Sequence, residues 1–253
     1  MVNALLTEFM KLRRSKVLLY VILAGCIPSL VKFLQQVLGE SRGIVRWEWF
    51  VASNREIVVL CMFIALVLTS AFIFSMEYQY GTASYIFTAG ISRIEIFISK
   101  MLSLLALIAL LFVVSACSDL LFGFIAFGKG MPPELLKAFL KATGWFICSY
   151  FLLSAVIVMV VVLIKKFVLS VVVVMGYLML VFPFHLKGNL YILPFMTPAA
   201  VASEIFGTDN YILNNGYYKD ITVNFPAVVV FLIVLAVISL LIGIMKYKNQ
   251  EAA

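Results

Sequence analysis

Residues 144–186 read GWFICSYFLLSAVIVMVVVLIKKFVLSVVVVMGYLMLVFPFHL and contain only two charged side chains, Lys165 and Lys166. An apolar helix needs about 20 residues to cross the hydrocarbon core of a bilayer. The halves on either side of the lysine pair, 144–164 and 167–186, each have that length. One unbroken helix would be too long for any bilayer. We therefore predict two membrane-spanning helices joined by a tight turn at the lysine pair.

The same criterion predicts four more spanning helices in the rest of the chain. They are 17–38, 57–75, 101–127 and 224–245. Hydrophobic residues make up 64% of the 253 residues and charged residues 12%, against about 45–50% and 25% in soluble domains. No stretch between the helices is long enough to form a separate folded domain. The sequence thus predicts an all-α integral membrane protein with six transmembrane helices in a single domain, 1–253.

The distribution of positive charge predicts the orientation of the helices. The chain has 19 Lys and Arg against 12 Asp and Glu, and the cations lie at the ends of apolar runs. Such a distribution favours contact with membrane lipids and argues against nucleic-acid binding. Four cations at 11–16 precede the first span, which predicts a cytoplasmic N-terminus. An even number of spans then places the C-terminus on the same side.

Residues 3–14 are predicted to form an amphipathic helix at the membrane interface. At 100° per residue, one arc is apolar and the opposite arc is polar. The apolar arc contains Leu5, Leu6, Phe9, Met10 and Leu12, and the polar arc contains Thr7, Glu8, Lys11 and Arg14.

Two connecting segments are expected to have structure of their own. Residues 76–100 are predicted to form a cytoplasmic elbow, in which Ser92 and Glu95 have the spacing of a capping box and a helix begins at Arg93. The elbow could be a solvated connector or a docking surface for a soluble motor. Residues 187–223 are predicted to form a long outer segment, whose apolar first half favours a short helix or a re-entrant piece.

The sequence argues against catalysis and metal binding by this chain. Its four cysteines have no CxxC spacing and it has one histidine, so neither a zinc site nor a catalytic triad is expected. The stretch 123–129, GFIAFGK, matches most of a phosphate-binding loop, but Gly130 occupies the position where that motif needs Ser or Thr for magnesium. We therefore expect that the chain does not hydrolyse nucleotide by itself.

Asp119 lies within the third predicted span, about 26 Å along its helix. An ionisable group inside a membrane is costly and is commonly functional. Two interpretations remain open for Asp119, a hydrogen bond to a neighbouring helix or contact with a substrate or gate.

The elbow segment 77–95, EYQYGTASYIFTAGISRIE, resembles the elbow of ABC-2 type transporter permeases. The stretch 8–16, EFMKLRRSK, is similar to the opening of the permeases that expel lantibiotics and bacitracin-like peptides. With six predicted spans and a long segment before the last, the resemblance covers nearly the whole chain. The family often has a proline shortly before the Ser-Arg pair, where this chain has Ala-Gly-Ile at 89–91.

The resemblance implies a permease subunit in a bacterial cell membrane that exports amphipathic peptide antibiotics for resistance or self-immunity. It implies two copies of a separate cytoplasmic ABC ATPase, which would bind ATP and magnesium, and a second permease chain, identical or a sibling. No cofactor is expected on this chain. The residues implied to couple to the ATPase are Glu77, Gly81, Thr82, Ser92, Arg93 and Glu95. The second and fifth spans would line the substrate path, whose predicted residues are Phe63, Phe72, Phe74, Asp119, Met175, Met179 and Phe182.

Other functions remain open at this level. The cargo could instead be lipid-like or another natural product. A stand-alone secondary transporter is disfavoured, because such proteins use charged residues at mid-membrane and broken helices in repeated halves. A membrane protein that binds and sequesters a peptide without transporting it remains compatible with the sequence.

Overall fold

The computed structural model describes residues 2–38, 47–80, 92–185, 198, 201–202 and 225–248, and these form seven helices of 13 or more residues. In chain order they are α1 (Val2–Arg14), α2 (Val17–Leu38), α3 (Trp47–Gln79), α4 (Arg93–Phe127), α5 (Pro133–Ile164), α6 (Phe167–His185) and α7 (Phe225–Lys248). The part of the chain that is described contains no strand, which agrees with the predicted all-α class.

Five of the described helices are long and apolar enough to cross a membrane, and they confirm a multi-pass membrane protein. The five segments are Val17–Gln36, Ile57–Gln79, Arg93–Phe127, Pro133–Ile164 and Pro226–Lys248. Helix α6 is also apolar, but its described apolar part, Phe167–Leu180, is shorter than a full span. The sixth span therefore remains a prediction.

Helices α3 and α4 form the centre of the bundle. Each packs against α2 and α5 as well as against the other, and α6 packs on α3 while α7 packs on α5 and α4. About three fifths of the apolar stretch of α3 and of α4 is buried, against 28% for α2 and for α7. The outward faces of α2 and α7 are rows of large aliphatic side chains, as expected where lipid is the solvent.

Two helices begin earlier than the apolar runs predict. Helix α3 starts at Trp47 rather than at residue 57, and α5 starts at Pro133 rather than at residue 144. The predicted bounds are those of apolar runs, and polar and charged residues end an apolar run without ending a helix. Pro133 is well suited to the first helical turn, since its fixed φ fits the helix and its missing N–H would have no partner there.

The turn between α5 and α6 is as tight as the lysine pair predicts. Helix α5 ends at Ile164 and α6 begins at Phe167. Lys165 adopts a left-handed conformation with φ of 60°, and its N–H donates to the carbonyl of Val161 at 2.8 Å. This is a left-handed cap that satisfies an otherwise unpaired carbonyl of the last turn.

The predicted elbow at 76–100 is only partly visible. Residues up to Gln79 continue α3, and Arg93–Lys100 form the first turns of α4 rather than a separate helix. Helix α4 begins where the capping box predicts, because the Ser92 side chain accepts a hydrogen bond from the Glu95 N–H at 3.2 Å. Residues 81–91, which include Gly81 and Thr82, lie outside the described residues, as does nearly all of the predicted outer segment 187–223. A separate coupling helix therefore remains a prediction.

We expect Ser92→Ala to loosen the first turn of α4. Loss of an N-cap hydrogen bond costs about 1 kcal/mol, so the backbone amides near Glu95 should exchange with solvent about fivefold faster. Hydrogen-exchange mass spectrometry on the full chain measures this. The matched control is Ser92→Asp, which keeps a side-chain acceptor and should leave the rate unchanged. Equal rates in wild type and Ser92→Ala would show that the cap does not hold this turn.

Helix α1 turns one member of its predicted polar arc, Glu8, toward the bundle. Glu8 and Leu12 are buried where α1 packs on α4, and Leu6 and Met10 of the apolar arc are each 54% exposed on the other side of the helix. The helical wheel could not show that a buried cation on α4 draws the carboxylate of Glu8 inward.

A cluster of aromatic rings lies at the end of the bundle opposite α1. The Trp47 ring packs against the rings of Phe50 and Phe127, and its Nε1 donates to the carbonyl of Lys129 at 3.2 Å. The same ring lies directly over Gly123 of α4. Helix α4 continues through Gly123 and ends at a left-handed Gly128, so residues 123–129 form a helix terminus and not a phosphate-binding loop.

Candidate functional site

Four charged side chains from three helices meet at the α1 end of the bundle. We call this group, Glu8, Lys11, Glu77 and Lys100, the charge cluster. Lys11 Nζ donates to Glu8 Oε1 at 2.7 Å and to Glu77 Oε1 at 2.9 Å. Lys100 Nζ lies 2.9 Å from the same Glu77 oxygen and 3.7 Å from Glu8 Oε2. The two carboxylates and two ammonium groups sum to zero charge, so no net charge is buried.

Lys100 is the most buried member of the charge cluster. Its side chain is 1% exposed, and its ammonium group also donates to the Ile73 carbonyl of α3 at 2.9 Å. The ammonium group lies 5.8 Å from the centre of the Phe74 ring, within the range of a cation–π contact. A lysine has three N–H donors, and two hydrogen bonds plus the Glu8 ion pair use nearly all of that capacity. The described contacts thus offset most of the cost of desolvating Lys100.

Lys11 is the member that reaches water, since 46% of its side chain is exposed. Partial burial alone would lower the pKa of Lys11, but the carboxylates of Glu77 and Glu8 outweigh burial and raise the pKa above its ordinary value of 10.5. Because the pKa of Lys11 is higher in the folded chain than in the unfolded chain, this ion pair stabilises the fold at every pH below the pKa of the unfolded chain. The contribution is lost only as the pH rises through the folded-state pKa. Lys11 is therefore charged at neutral pH.

Further contacts extend the charge cluster to the remaining helices at the same end. Phe97 of α4 packs between Phe74 of α3 and Tyr247 of α7, with ring centroids 5.4 and 5.5 Å apart. Arg93 Nη1 donates to the carbonyl of Lys248, in the last turn of α7, at 2.7 Å. A cation at this position also interacts favourably with the helix dipole of α7. The α4 start and the α7 end are therefore joined.

The turn between α5 and α6 also contacts α3 at this end. Lys165 Nζ lies 5.7 Å from the centre of the Tyr78 ring, one residue beyond Glu77. Helices α1, α3, α4 and α7 and the α5–α6 turn are thus all linked within a few residues of Glu77. A displacement of α3 or α4 at this end cannot leave α1 in place without breaking ion pairs.

The predicted coupling residues that the structure describes lie in three places. Glu77 lies in the charge cluster, and Arg93 contacts α7. Ser92 and Glu95 form the N-terminal cap of α4. Gly81 and Thr82 lie outside the described residues.

The predicted substrate-path residues occupy different environments. Phe63 and Phe74 are buried in the core of the chain, and Phe74 contacts the charge cluster. Phe72 and Met175 are half-buried, whereas Met179 is 76% exposed. Phe182 lies on α6, and its side chain is outside the part described. Helices α3 and α6, which contain the second and fifth predicted spans, pack against each other, and their role as the lining of a path remains a prediction.

Asp119 is buried and bonded to a neighbouring helix. The Ser29 Oγ of α2 donates to Asp119 Oδ1 at 2.6 Å, which is the first of the two interpretations left open by the sequence. Asp119 also borders a cavity of about 40 Å³ between α3, α4 and α5, lined by Ser115, Thr143 and the rings of Phe112 and Phe146. A cavity of that size holds a few waters and no bulky cargo. Substrate contact at Asp119 remains a prediction.

The sequence interpretation missed the partners of Glu77. The sequence analysis assigns no contact to Lys100, and it places Glu8 and Lys11 on the polar arc of an interfacial helix. A signal was present, because Glu77 and Lys100 are single opposite charges at facing ends of two successive apolar runs. Pairing such charges across the connector would have found this contact. The contribution of α1 could not have been found in that way.

Comparison with known proteins adds one finding. A family model described as ABC-2 family transporter protein matches residues 4–181, which is most of the chain. The matched region runs from α1 into α6 and includes all four members of the charge cluster. No curated protein matches the chain.

Proposed function

Because the chain belongs to the family of ABC-2 family transporter proteins, we propose that it is a permease subunit that a separate ABC ATPase drives and that it exports amphipathic peptides. Membership makes the chain the membrane subunit of a transporter. The motor, the cargo and the direction of transport are the proposed parts.

The charge cluster is the observation that carries this proposal. A permease that responds to a conformational change of its ATPase needs a rigid connection between the helix that contacts the ATPase and the membrane helices that move. Glu77 and Lys100 join α3 to α4, and Glu8 and Lys11 join α1 to both. The ATPase would act on α1 and on the segment between α3 and α4, and α3 would tilt against α6. Such a transition is a rigid-body motion between two packed arrangements.

The proposed assembly has two ATPase subunits and two permease chains, identical or paired with a sibling. ATP and magnesium would bind to the ATPase subunits, and this chain would bind no cofactor. The α1 end would face the cytoplasm of a bacterial cell, with both termini on that side. The basic residues at 11–16 and the two lysines at 246 and 248 support this orientation, because cytoplasmic ends of membrane helices are enriched in Lys and Arg.

The proposed cargo is an amphipathic peptide antibiotic of the lantibiotic or bacitracin class, removed from the membrane for resistance or self-immunity. The resemblance of the N-terminal segment to permeases for such peptides supports this choice. On α6, Met179 is exposed and Met175 is half-buried, and flexible methionines accommodate irregular apolar cargo. Another lipid-like or natural-product cargo, or sequestration of a peptide without transport, is the alternative.

Gentle extraction from native membranes tests the proposal. The complex should contain an ABC ATPase identifiable by mass spectrometry, and candidate peptides should stimulate its ATP hydrolysis. Reconstituted in vesicles, the complex should move peptide only when ATP and magnesium are present. Peptide movement by the isolated chain without ATP would contradict the proposal and favour a secondary transporter. Binding without movement would favour sequestration.

We expect Arg93→Ala to lower peptide-stimulated ATP turnover about tenfold without preventing membrane insertion. The arginine joins the start of α4 to the last carbonyls of α7, and a hydrogen bond from a charged donor is worth about 1.5–3 kcal/mol. The matched control is Lys246→Ala, which removes an exposed cation from the same end of α7. Wild-type turnover in Arg93→Ala would show that this contact does not transmit the conformational change of the ATPase.

A further inference from the structure

The outward face of α1 is the strongest unassigned feature of the described structure. Glu8 and Leu12 turn toward the bundle, so the opposite face of α1 presents Leu6, Met10, Arg13 and Arg14. Residues three and four positions apart are neighbours on a helix surface. Two long apolar side chains therefore adjoin two arginines on one face, with exposed Lys16 just beyond the helix end. We propose that this face is a docking surface for anionic phospholipids of the adjacent membrane leaflet.

The apolar part of this face argues for lipid. Leu6 and Met10 are each 54% exposed and Phe9 is 40% exposed, and three large apolar side chains within two turns make an unfavourable surface in water. A helix at the membrane interface buries such side chains at the boundary between headgroups and acyl chains. Within the described residues, α1 packs on α4 and α2 and reaches α3 through Lys11, and these contacts leave the outward face open.

The charged part of this face argues for an anionic lipid in particular. Arg13, Arg14 and Lys16 are exposed and form no ion pair among the described residues. Glu8 is the acidic residue of α1, and its carboxylate is turned inward to Lys11 and Lys100. All the charged side chains on the outward face of α1 are therefore positive. Guanidinium groups bind phosphate oxygens in a bidentate manner, which matches a phospholipid headgroup in both charge and geometry.

Through this surface, the lipid composition of the membrane would affect the charge cluster. Lys11 lies on the same helix as Arg13 and Arg14 and bonds to Glu77 of α3. An anionic leaflet that fixes α1 would also hold Glu8 and Lys11 in place around Lys100. The inference stands on the structure of α1 and does not depend on the identity of the cargo.

Hydrogen-exchange mass spectrometry on the full chain in lipid nanodiscs tests this inference. We expect the α1 amides to exchange more slowly when phosphatidylglycerol is mixed into phosphatidylcholine discs. In the double variant Arg13→Gln/Arg14→Gln, the slowing of α1 exchange by phosphatidylglycerol should be up to about 30-fold smaller than in wild type. Each cation near an anionic surface contributes about a fivefold effect. The charge-conserving Arg13→Lys/Arg14→Lys should keep most of the slowing.

The matched control is Lys137→Gln/Lys141→Gln, which removes two exposed cations from α5 and should leave the response of α1 unchanged. Inorganic phosphate added to phosphatidylcholine discs should have no effect, and slowing by phosphate alone would overturn the assignment to a lipid. Identical α1 exchange in the two kinds of disc would overturn the proposal and leave this face for a protein partner. Loss of the response in the Lys137 and Lys141 control would overturn it as well.

Discussion

Replacing Glu77 by Ala is expected to lower the free energy of unfolding by about 3 kcal/mol. Removal of one partner from a buried ion pair leaves the other charge without compensation, at a cost of about 3–5 kcal/mol. The side chain of Glu77 is 8% exposed and that of Lys100 is 1% exposed, so water cannot replace the lost carboxylate. The lower end of the range applies because Lys100 keeps the Ile73 carbonyl and the more distant Glu8.

Reversible denaturation in a mild detergent measures this effect. The control Glu134→Ala removes an exposed carboxylate from the first turn of α5 and should change stability by about 0.5 kcal/mol or less. A double variant, Glu77→Ala/Lys100→Met, removes both charges and should recover much of the lost stability, since an apolar pair often replaces a buried ion pair without cost. A Glu77→Ala protein as stable as Glu134→Ala would show that the charge cluster is not a stabilising contact.

The double variant also separates stability from coupling. If the charge cluster transmits force, the apolar pair should restore the fold without restoring ATP-dependent transport, because an apolar contact does not hold α1. Full transport activity in the double variant would mean that the cluster serves folding alone.

Replacing Gly123 by Ala is expected to destabilise the protein by about 1–3 kcal/mol, although alanine is the better helix former. A Cβ at this position would overlap the ring of Trp47, and overpacking of a well-packed site costs about that amount. The ring cannot move freely, since Phe50 and Phe127 contact it and its Nε1 is bonded to the Lys129 carbonyl.

The same substitution at Gly144 provides a control of opposite sign. A Cβ added to Gly144 would meet nothing within 4 Å, and the residue lies inside α5. Gly144→Ala should therefore stabilise the protein by about 0.5–1 kcal/mol, through the lower backbone entropy of the unfolded chain. Thermal unfolding of both variants in one detergent gives the comparison. Stabilisation by both would show that the Trp47 ring does not pack on Gly123.

The positions of the membrane helices were largely predictable from the sequence. Long apolar runs determine where spans lie, and α2 (Val17–Leu38) covers the first predicted span. The capping box at Ser92 predicted the start of α4, and the lysine pair predicted the turn at Lys165. Helices α3 and α5 extend beyond their predicted spans, because hydropathy follows lipid exposure, whereas a helix is ended by its hydrogen bonding and caps.

Contacts between distant segments were not predictable in the same way. Glu8 and Lys100 are far apart in the sequence, and the packing of α1 on α4 decides that they meet. The packing of Trp47 on Gly123 is a similar case, since neither residue alone indicates the other. Glu77 was predicted to be a coupling residue through a family resemblance. Its physical role as the acceptor shared by two lysines required the three-dimensional structure.

The order of the charge cluster along the chain bears on its biosynthesis. Both carboxylates, Glu8 and Glu77, are synthesised before Lys100. When the ribosome delivers α4 to the insertion machinery, the acceptors for its ammonium group are therefore already present. We expect that Lys100 has an acidic partner available throughout the membrane insertion of α4. In a chain that lacks both Glu8 and Glu77, we expect insertion of α4 to stall.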